Sequence, residues 1–296
     1  MYYMKKSLPN KIFDIFNVVL MLIIAFASLA PILHVLFASF SDPIQLAAHE
    51  GIILKPLGFT TKGYELVFNN SSILRGYLNT AFYVIVGVSL STFLTFLGGY
   101  ALSRKGLFWG NTIMFIITFT MFFNGGLIPF YMVVRGLGMS NTRWAIIIPT
   151  AISVFNLIIM RTSLREIPDS LEESAKIDGA GHWTIMFRII MPLAKATIAV
   201  IILFYAVGQW NSWFNATIFL RDRKLFPLQV VLKEILIQND TSVVMTDASD
   251  ASTNMDLFKP LVKYCTIVAA TVPVLCFYPF AQKHFVTGVM IGSIKG

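Results

Sequence analysis

Residues 161–192 read RTSLREIPDSLEESAKIDGAGHWTIMFRIIMP, and the rest of the chain is best read outward from this stretch. Pro168 suits the start of a helix. Asp169, Glu172 and Glu173 suit the positive end of that helix's dipole. Gly179 fits the left-handed residue that closes a helix. A second short helix runs from about His182 to Ile190, and Pro192 opens the next apolar segment. The spacing predicts a helix-turn-helix over residues 164–192, charged on one side. Leu171, Ala175, Trp183 and Phe187 are left to pack. Long apolar runs flank it on both sides, so it lies across a membrane face.

The composition supports a lipid setting. The chain is 56% hydrophobic and 13% charged, with 26 Phe among 296 residues and a mean hydropathy of +0.72. An ordinary soluble domain is about 25% charged. A spanning helix needs about 20 apolar residues. Six stretches meet or approach that length: 18–40, 77–102, 112–134, 144–160, 197–220 and 264–282. The prediction is a single-domain, all-α integral membrane protein with six transmembrane helices. Lys5, Lys6 and Lys11 precede the first run as in a signal peptide. The run from Ile12 to Phe40 is too long for one, though, and Pro31 follows the best small-residue pair, Ser28 and Ala30. An uncleaved first span is expected.

The formal net charge of +8 does not point to nucleic acid. The basic residues sit at the ends of apolar runs, where Lys and Arg anchor helices to headgroups. The 23 Lys and Arg divide twelve to eleven between the two faces, so the positive-inside rule barely orients the chain. Within the six stretches there is no charged residue, and only His34 titrates near neutrality. Ion-coupled carriers place ionisable groups there. His34 is expected to be packed or interfacial. Cys265 and Cys276 share one helix face but lie roughly 16 Å apart along the axis, which excludes a disulfide.

Gly87, Ser91, Thr95 and Gly99 recur every fourth residue, a small-residue face that lets helices approach closely in lipid. Its partner could be another helix of this chain or a second subunit. Between the first two spans, 41–75 is expected to hold a loop with a short surface helix. After the fifth, Pro227 opens an amphipathic helix through Leu236, expected to rest on the outer membrane face. Residues 239–254 read as an exposed polar loop. No G-x-x-x-x-G-K-[ST] loop occurs, so this chain has no such ATP site. The four histidines are scattered, and no nucleophile, base or metal constellation appears.

The string Glu173-Ser174-Ala175, three residues, Gly179, nine residues, then Ile-x-Met-Pro192 resembles the EAA signature of ABC-importer permeases. Asp178-Gly179-Ala180 and Arg188 to Pro192 are similar to its carbohydrate branch, the maltose-type second membrane subunit. Ser174 stands for the usual Ala, and Met191 for the usual Leu. The likeness extends to Phe123–Pro129, Asn141–Trp144, Trp210–Trp213, Phe226–Gln229 and the tail from Gln282 to Gly296. These stretches resemble the branch that handles oligosaccharides from complex polysaccharides.

The resemblance implies a type I ABC importer permease in a bacterial cell membrane, with both termini cytoplasmic. Its 164–192 loop would be the coupling helix, using Glu173, Ser174, Ala175, Asp178, Gly179, Ala180 and Pro192. Its implied partners are a second permease, two cytoplasmic ATPase subunits that bind the ATP and magnesium, and an extracytoplasmic solute-binding protein. No cofactor is implied in this chain itself. Trp210, Asn211 and Trp213 are candidates for the sugar path, since aromatic faces and amides suit sugars. They read equally as interfacial aromatics and helix packing. A secondary carrier or channel is the alternative, and a membrane-bound enzyme a third class. The carrier predicts intramembrane charge or an inverted repeat, and the enzyme a polar catalytic cluster.

Overall fold

The computed structural model describes residues 8–237 and 258–276, and among these every regular element is helical. Three helices are long and apolar enough to cross a membrane unbroken: α1 (Leu8–Ser39), α4 (Ser71–Ser103) and α15 (Phe258–Cys276). Other expected spans are broken. Asn124, Gly125 and Gly126 split the third into α5 (Gly110–Phe122) and α6 (Leu127–Gly136), bent by 114°. The fourth divides into α7 (Trp144–Ile147) and α8 (Val154–Arg165). The fifth divides at 211–213 into α12 (Lys195–Trp210) and α13 (Phe214–Phe219). Counting each sharply bent pair as one crossing gives up to five spans among the described residues. Residues 239–254, the end of the sixth stretch and the C-terminal tail from Gln282 lie outside the described residues.

The described chain forms two compact units. One holds α1, α2 (Pro43–Ala48), α3 (Lys62–Asn69) and most of α15. The 41–75 segment thus carries two short helices before α4. Gly63 lets α3 lie directly on α15: a Cβ there would stand 2.6 Å from Cys265 Sγ and 2.8 Å from Leu261 Cγ. His34 is packed, as its place suggested. Its Nδ1 accepts from the Ile53 amide (3.0 Å), so Nε2 is the protonated nitrogen facing Tyr264 Oη (3.3 Å). Cys265 is buried and Cys276 exposed, and both are free thiols.

The other unit is organised by α4. Its small-residue face meets helices of the same chain. A Cβ on Gly87 would lie 3.1 Å from Gln209 Nε2 of α12, and one on Gly99 2.5 Å from Met160 Cγ of α8. Between them, Tyr205 Oη joins three helices: it bonds Thr95 Oγ1 (2.7 Å) and accepts from the Ser153 amide (2.9 Å). The surrounding core takes Phe96 from α4, Met160 and Leu164 from α8, and Ile201 from α12. It also takes Ala175, Ile185, Met186 and Ile190 from the 164–192 loop, so that loop is built into the core.

The helix opened by Pro227, α14 (Leu228–Ile237), differs from expectation. Leu228, Val230 and Val231 are buried in the protein, so these residues pack inward and do not meet lipid. Gly76 makes the approach possible, since a Cβ there would lie 3.1 Å from Leu228 Cα. Thr80 Oγ1 accepts from the Leu228 amide (2.9 Å) and fixes the register.

Gly99→Val should force α4 away from α8, because the obstructing atoms belong to Met160 near its backbone rather than to a flexible tip. Overpacking of this kind costs about 1–3 kcal/mol. The thermal midpoint of the purified protein should fall clearly. Gly136→Ala, where a Cβ meets nothing within 4 Å, should leave it nearly unchanged.

Candidate functional site

The first site is the 164–192 loop. Its first helix is α9 (Asp169–Ile177), preceded by Pro168 and carrying Asp169 and Glu172 in its first turn. It closes as the sequence suggested. Gly179 has φ +82°, its amide donates to Lys176 O (3.0 Å), and the Ala180 amide reaches Ala175 O (2.9 Å). This pair of bonds is a Schellman closure, which satisfies carbonyls that would otherwise end the helix unpaired. The second helix begins as α10 (His182–Thr184), widens into a π-helical turn (Ile185–Ile190) and ends as α11 (Met191–Leu193). Pro192 has no amide to offer Arg188 O, and the wider turn reroutes the ladder around it: the Met191 amide reaches Met186 O instead. At Ala194 the chain bends by 81° into α12.

The loop has an inner and an outer face. Ala175 is buried. Phe187 packs between Phe96 (6.2 Å) and Trp183 (5.9 Å, parallel rings). Outward stand Glu173, Ser174, Asp178 and Gly179, with Ala180 half-buried and Pro192 exposed. Apolar side chains stand there too: Ile177 is 87% exposed and Trp183 67%. Of the residues available to pack, Trp183 does so only through its stack on Phe187, and Leu171 remains 42% exposed.

The carboxylate that holds the loop is Glu172, next to the Glu173 of the motif. It is buried, accepts from Arg104 just past α4, and pairs with Lys176 one turn on (3.0 Å). Burial alone would raise its pKa. The bonds from Lys176 and Arg104 outweigh that and hold it below the usual carboxylate range. Arg104 also bonds Leu164 O (3.3 Å) and lies over the Tyr100 ring (4.8 Å). Beside it, Lys105 pairs with Asp169, whose carboxyl is likewise held low by that bond. The signal in the sequence was Arg104-Lys105 directly after an apolar run, with an acidic pair in a later loop.

The second site is a cavity of about 600 Å³ at the broken ends of α8 and α12. It is lined by Thr150, Asn156, Gln209, Asn211 and Asn215, with Phe155, Phe204 and Trp213 among its aromatic walls and no charged side chain. Gln209 donates to Thr150 Oγ1 (3.0 Å), while its buried Oε1 has no partner among the described residues. Of the three path candidates, Asn211 and Trp213 line the cavity. Trp210 does not, and stands against Tyr77 (6.5 Å). Asn211 spends its side-chain N–H on Val207 O (2.9 Å), and Lys233 lies over Trp213 (4.6 Å). The amides of Asn156, Gln209 and Asn215 were legible as polar residues inside apolar runs, but attention to charge alone passes over them.

A second clamp surrounds the 221–228 segment. Asn141, at φ +57°, accepts with Oδ1 from the amides of Arg221 (2.8 Å) and Asp222 (2.9 Å). Asn79 donates to Lys224 O (2.8 Å) and Phe226 O (3.0 Å), and Tyr83 to Leu225 O (2.8 Å). Arg143 bonds Asn79 Oδ1 (3.2 Å) and lies over Phe82 (4.5 Å).

Glu172→Gln should release the loop. Removing one partner of such a partly buried pair costs about 1–3 kcal/mol. The native pair stabilises fully above the ordinary glutamate range and is lost as pH falls below it, because the carboxyl's pKa is depressed in the folded state. The thermal midpoint of the wild type should therefore drop on acidification more steeply than that of Glu172→Gln.

Comparison with known proteins places these features in a lineage. Residues 2–291 match the family model described as binding-protein-dependent transport system inner membrane component. The chain is 40% identical over 289 residues to the polygalacturonan/rhamnogalacturonan transport system permease protein YtcP of Bacillus subtilis, covering 98% of this chain and 100% of that one. It is 24% identical over 280 residues to the arabinooligosaccharide permease AraQ of Halalkalibacterium halodurans, covering 92% and 93%. A chain in the crystal structure of a bacterial ABC transporter that imports the acidic polysaccharide alginate superposes with a TM-score of 0.87 at 33% identity, covering 95% of this chain and 99% of that one. The fold is that of a type I ABC permease, and the chain belongs to the family of binding-protein-dependent transport system inner membrane components.

Proposed function

We propose that the chain is the membrane-spanning permease subunit of a binding-protein-dependent importer that moves oligosaccharides on ATP hydrolysed by a separate subunit. The observation that carries this is the two-faced 164–192 loop. Its inner face is fused to the core through Ala175, Ile185 and Glu172, while Glu173, Ser174, Ile177 and Trp183 face outward. A lever needs both properties: a rigid attachment and a free docking face. The family match and the names of the relatives support the transport class and the sugar.

In this reading the polypeptide is one permease domain with six spans, counting the broken ones, and both termini are cytoplasmic. It sits in a bacterial cell membrane beside a second permease. Two ATPase subunits hold ATP and magnesium and grip the loop. Glu173 bonds the ATPase, and the turn set by Asp178, Gly179 and Ala180 aims the docking face. An extracytoplasmic binding protein delivers sugar to the opposite side, where the Asn141 and Asn79 clamps keep 221–228 in shape. ATP shifts the membrane pair between inward-open and outward-open states. Reversing a 1:99 population takes about 5.5 kcal/mol of differential affinity. The neutral polar cavity, with amides for hydroxyls and aromatic walls for ring faces, is where an oligosaccharide passes. Asn211 and Trp213 contribute to it, while Trp210 packs on Tyr77 outside the lining.

Gly179→Asp tests the proposal. Nothing crowds the position, so the penalty is conformational: φ +82° strains a side-chain-bearing residue, and a carboxylate opposes the negative end of the α9 dipole. With the co-purified ATPase in proteoliposomes, the variant should insert normally but lose ATPase association and ATP-driven sugar uptake. Uptake that persists without any ATPase would make the protein a carrier or channel.

A further inference from the structure

A second pocket, of about 250 Å³, lies where α4 ends, α5 begins and α8 ends. Arg104, Lys105, Arg161 and Arg165 line it, and no carboxylate does. Two of these charges are already spent: Arg104 on Glu172 and Lys105 on Asp169. Arg161 and Arg165 are not. Arg161 Nε donates to Leu102 O (3.0 Å), and among the described residues neither guanidinium holds a carboxylate. The two like charges stand one turn apart, Arg161 half-buried and Arg165 exposed, and repel unless something negative joins them. The first turn of α5 adds to the field. Its residues Asn111 and Thr112 line the same pocket, and no side chain caps that turn.

The surroundings say which anion fits. Trp109 lines the pocket, and it and its neighbour Phe108 are 66% and 83% exposed. From there α5 runs on as an apolar helix that buries none of its residues within the protein, with Phe115 and Ile116 exposed along it. A phosphate seated on the arginines would thus have an apolar track for attached acyl chains. We propose that this pocket binds the phosphodiester headgroup of an anionic phospholipid, gripped by Arg161 and Arg165, with its chains laid along α5. Basic pockets between helices at a membrane face take such headgroups, and guanidinium forks match phosphate oxygens in pairs. The lipid would sit directly behind the Arg104–Glu172 clasp, next to the loop that the proposed ATPase grips.

The test is lipid retention by the purified transporter complex. The complex is passed through mixed micelles of phosphatidylcholine and phosphatidylglycerol, and native mass spectrometry counts what stays bound. Wild type should keep phosphatidylglycerol over phosphatidylcholine. Arg161→Gln with Arg165→Gln should cut that retention by about thirtyfold, as expected for two lost headgroup cations at about 1 kcal/mol each. Arg165→Gln alone, an exposed side chain with no packing role, should give a smaller loss in the same direction. Equal retention in wild type and both variants overturns the site. Displacement of the lipid by millimolar inorganic phosphate, which then stays bound itself, overturns the lipid assignment in favour of a soluble anion.

Discussion

A backbone amide or carbonyl left unpaired in hydrocarbon costs several kcal/mol, and this constraint shapes the molecule. Continuous helices meet it automatically, as α1, α4 and α15 do. The broken segments meet it with side chains. At the α5–α6 break, Asn124 Oδ1 takes the Gly126 amide (2.7 Å). Before α8, the Ser153 amide goes to Tyr205 Oη, and Ser153 Oγ caps Asn156 (3.4 Å). At the end of α12, Asn211 and Ser212 return their side-chain hydrogens to Val207 O (2.9 Å) and Gln209 O (2.8 Å). Irregular backbone at membrane depth survives where it is buried in protein or lines a cavity. The α8 and α12 breaks do the latter: the residues that repair them also line the polar cavity. The backbone repairs and the polar lining of the cavity are thus one solution to one constraint.

The same economy governs the loop between α8 and α12. The proposed coupling role asks it to be stiff enough to transmit motion and exposed enough to be held. Stiffness comes from burying Ala175 and the π-helical turn among Phe96, Met160 and Leu164, and from clasping Glu172 with Arg104 and Lys176. Exposure comes from Gly179, whose left-handed turn folds the chain back without covering the outer face of α9. The clasp reaches a different connection, the one after α4. α9 is therefore tied to α4, α8 and α12 together rather than to one hinge.

The class of the protein was legible because lipid leaves a large signature in composition, and the loop because its cap chemistry is local. Pro168, the acidic first turn and Gly179 each act through neighbours a few residues away, so sequence order suffices to read them. Non-local pairings were not legible. Arg104 and Glu172 are 68 residues apart, and nothing in either neighbourhood names the other. The small-residue face of α4 announced a close partner but not which one; it proved to be α8 and α12 of the same chain. The helix breaks were missed because hydropathy averages over them. Asn124, Ser153 and Asn211 are few, and the apolar residues around them are many. The apolar face of α14 was placed against lipid because amphipathicity shows that a face is covered, not by what.

The central claim is that the outer face of α9 is gripped by a separate ATPase, and proximity tests it most directly. Ile177 is 87% exposed and can carry a cysteine once the exposed Cys276 is replaced by Ser, leaving only the buried Cys265. Ile177→Cys, labelled with a short reagent that couples to the thiol at one end and carries a photoreactive group at the other, should cross-link on illumination to the co-expressed ATPase subunit in membranes. Leu137→Cys, 68% exposed and remote from the loop in sequence, should not. Failure of Ile177→Cys to cross-link in a complex that still imports sugar would contradict the account.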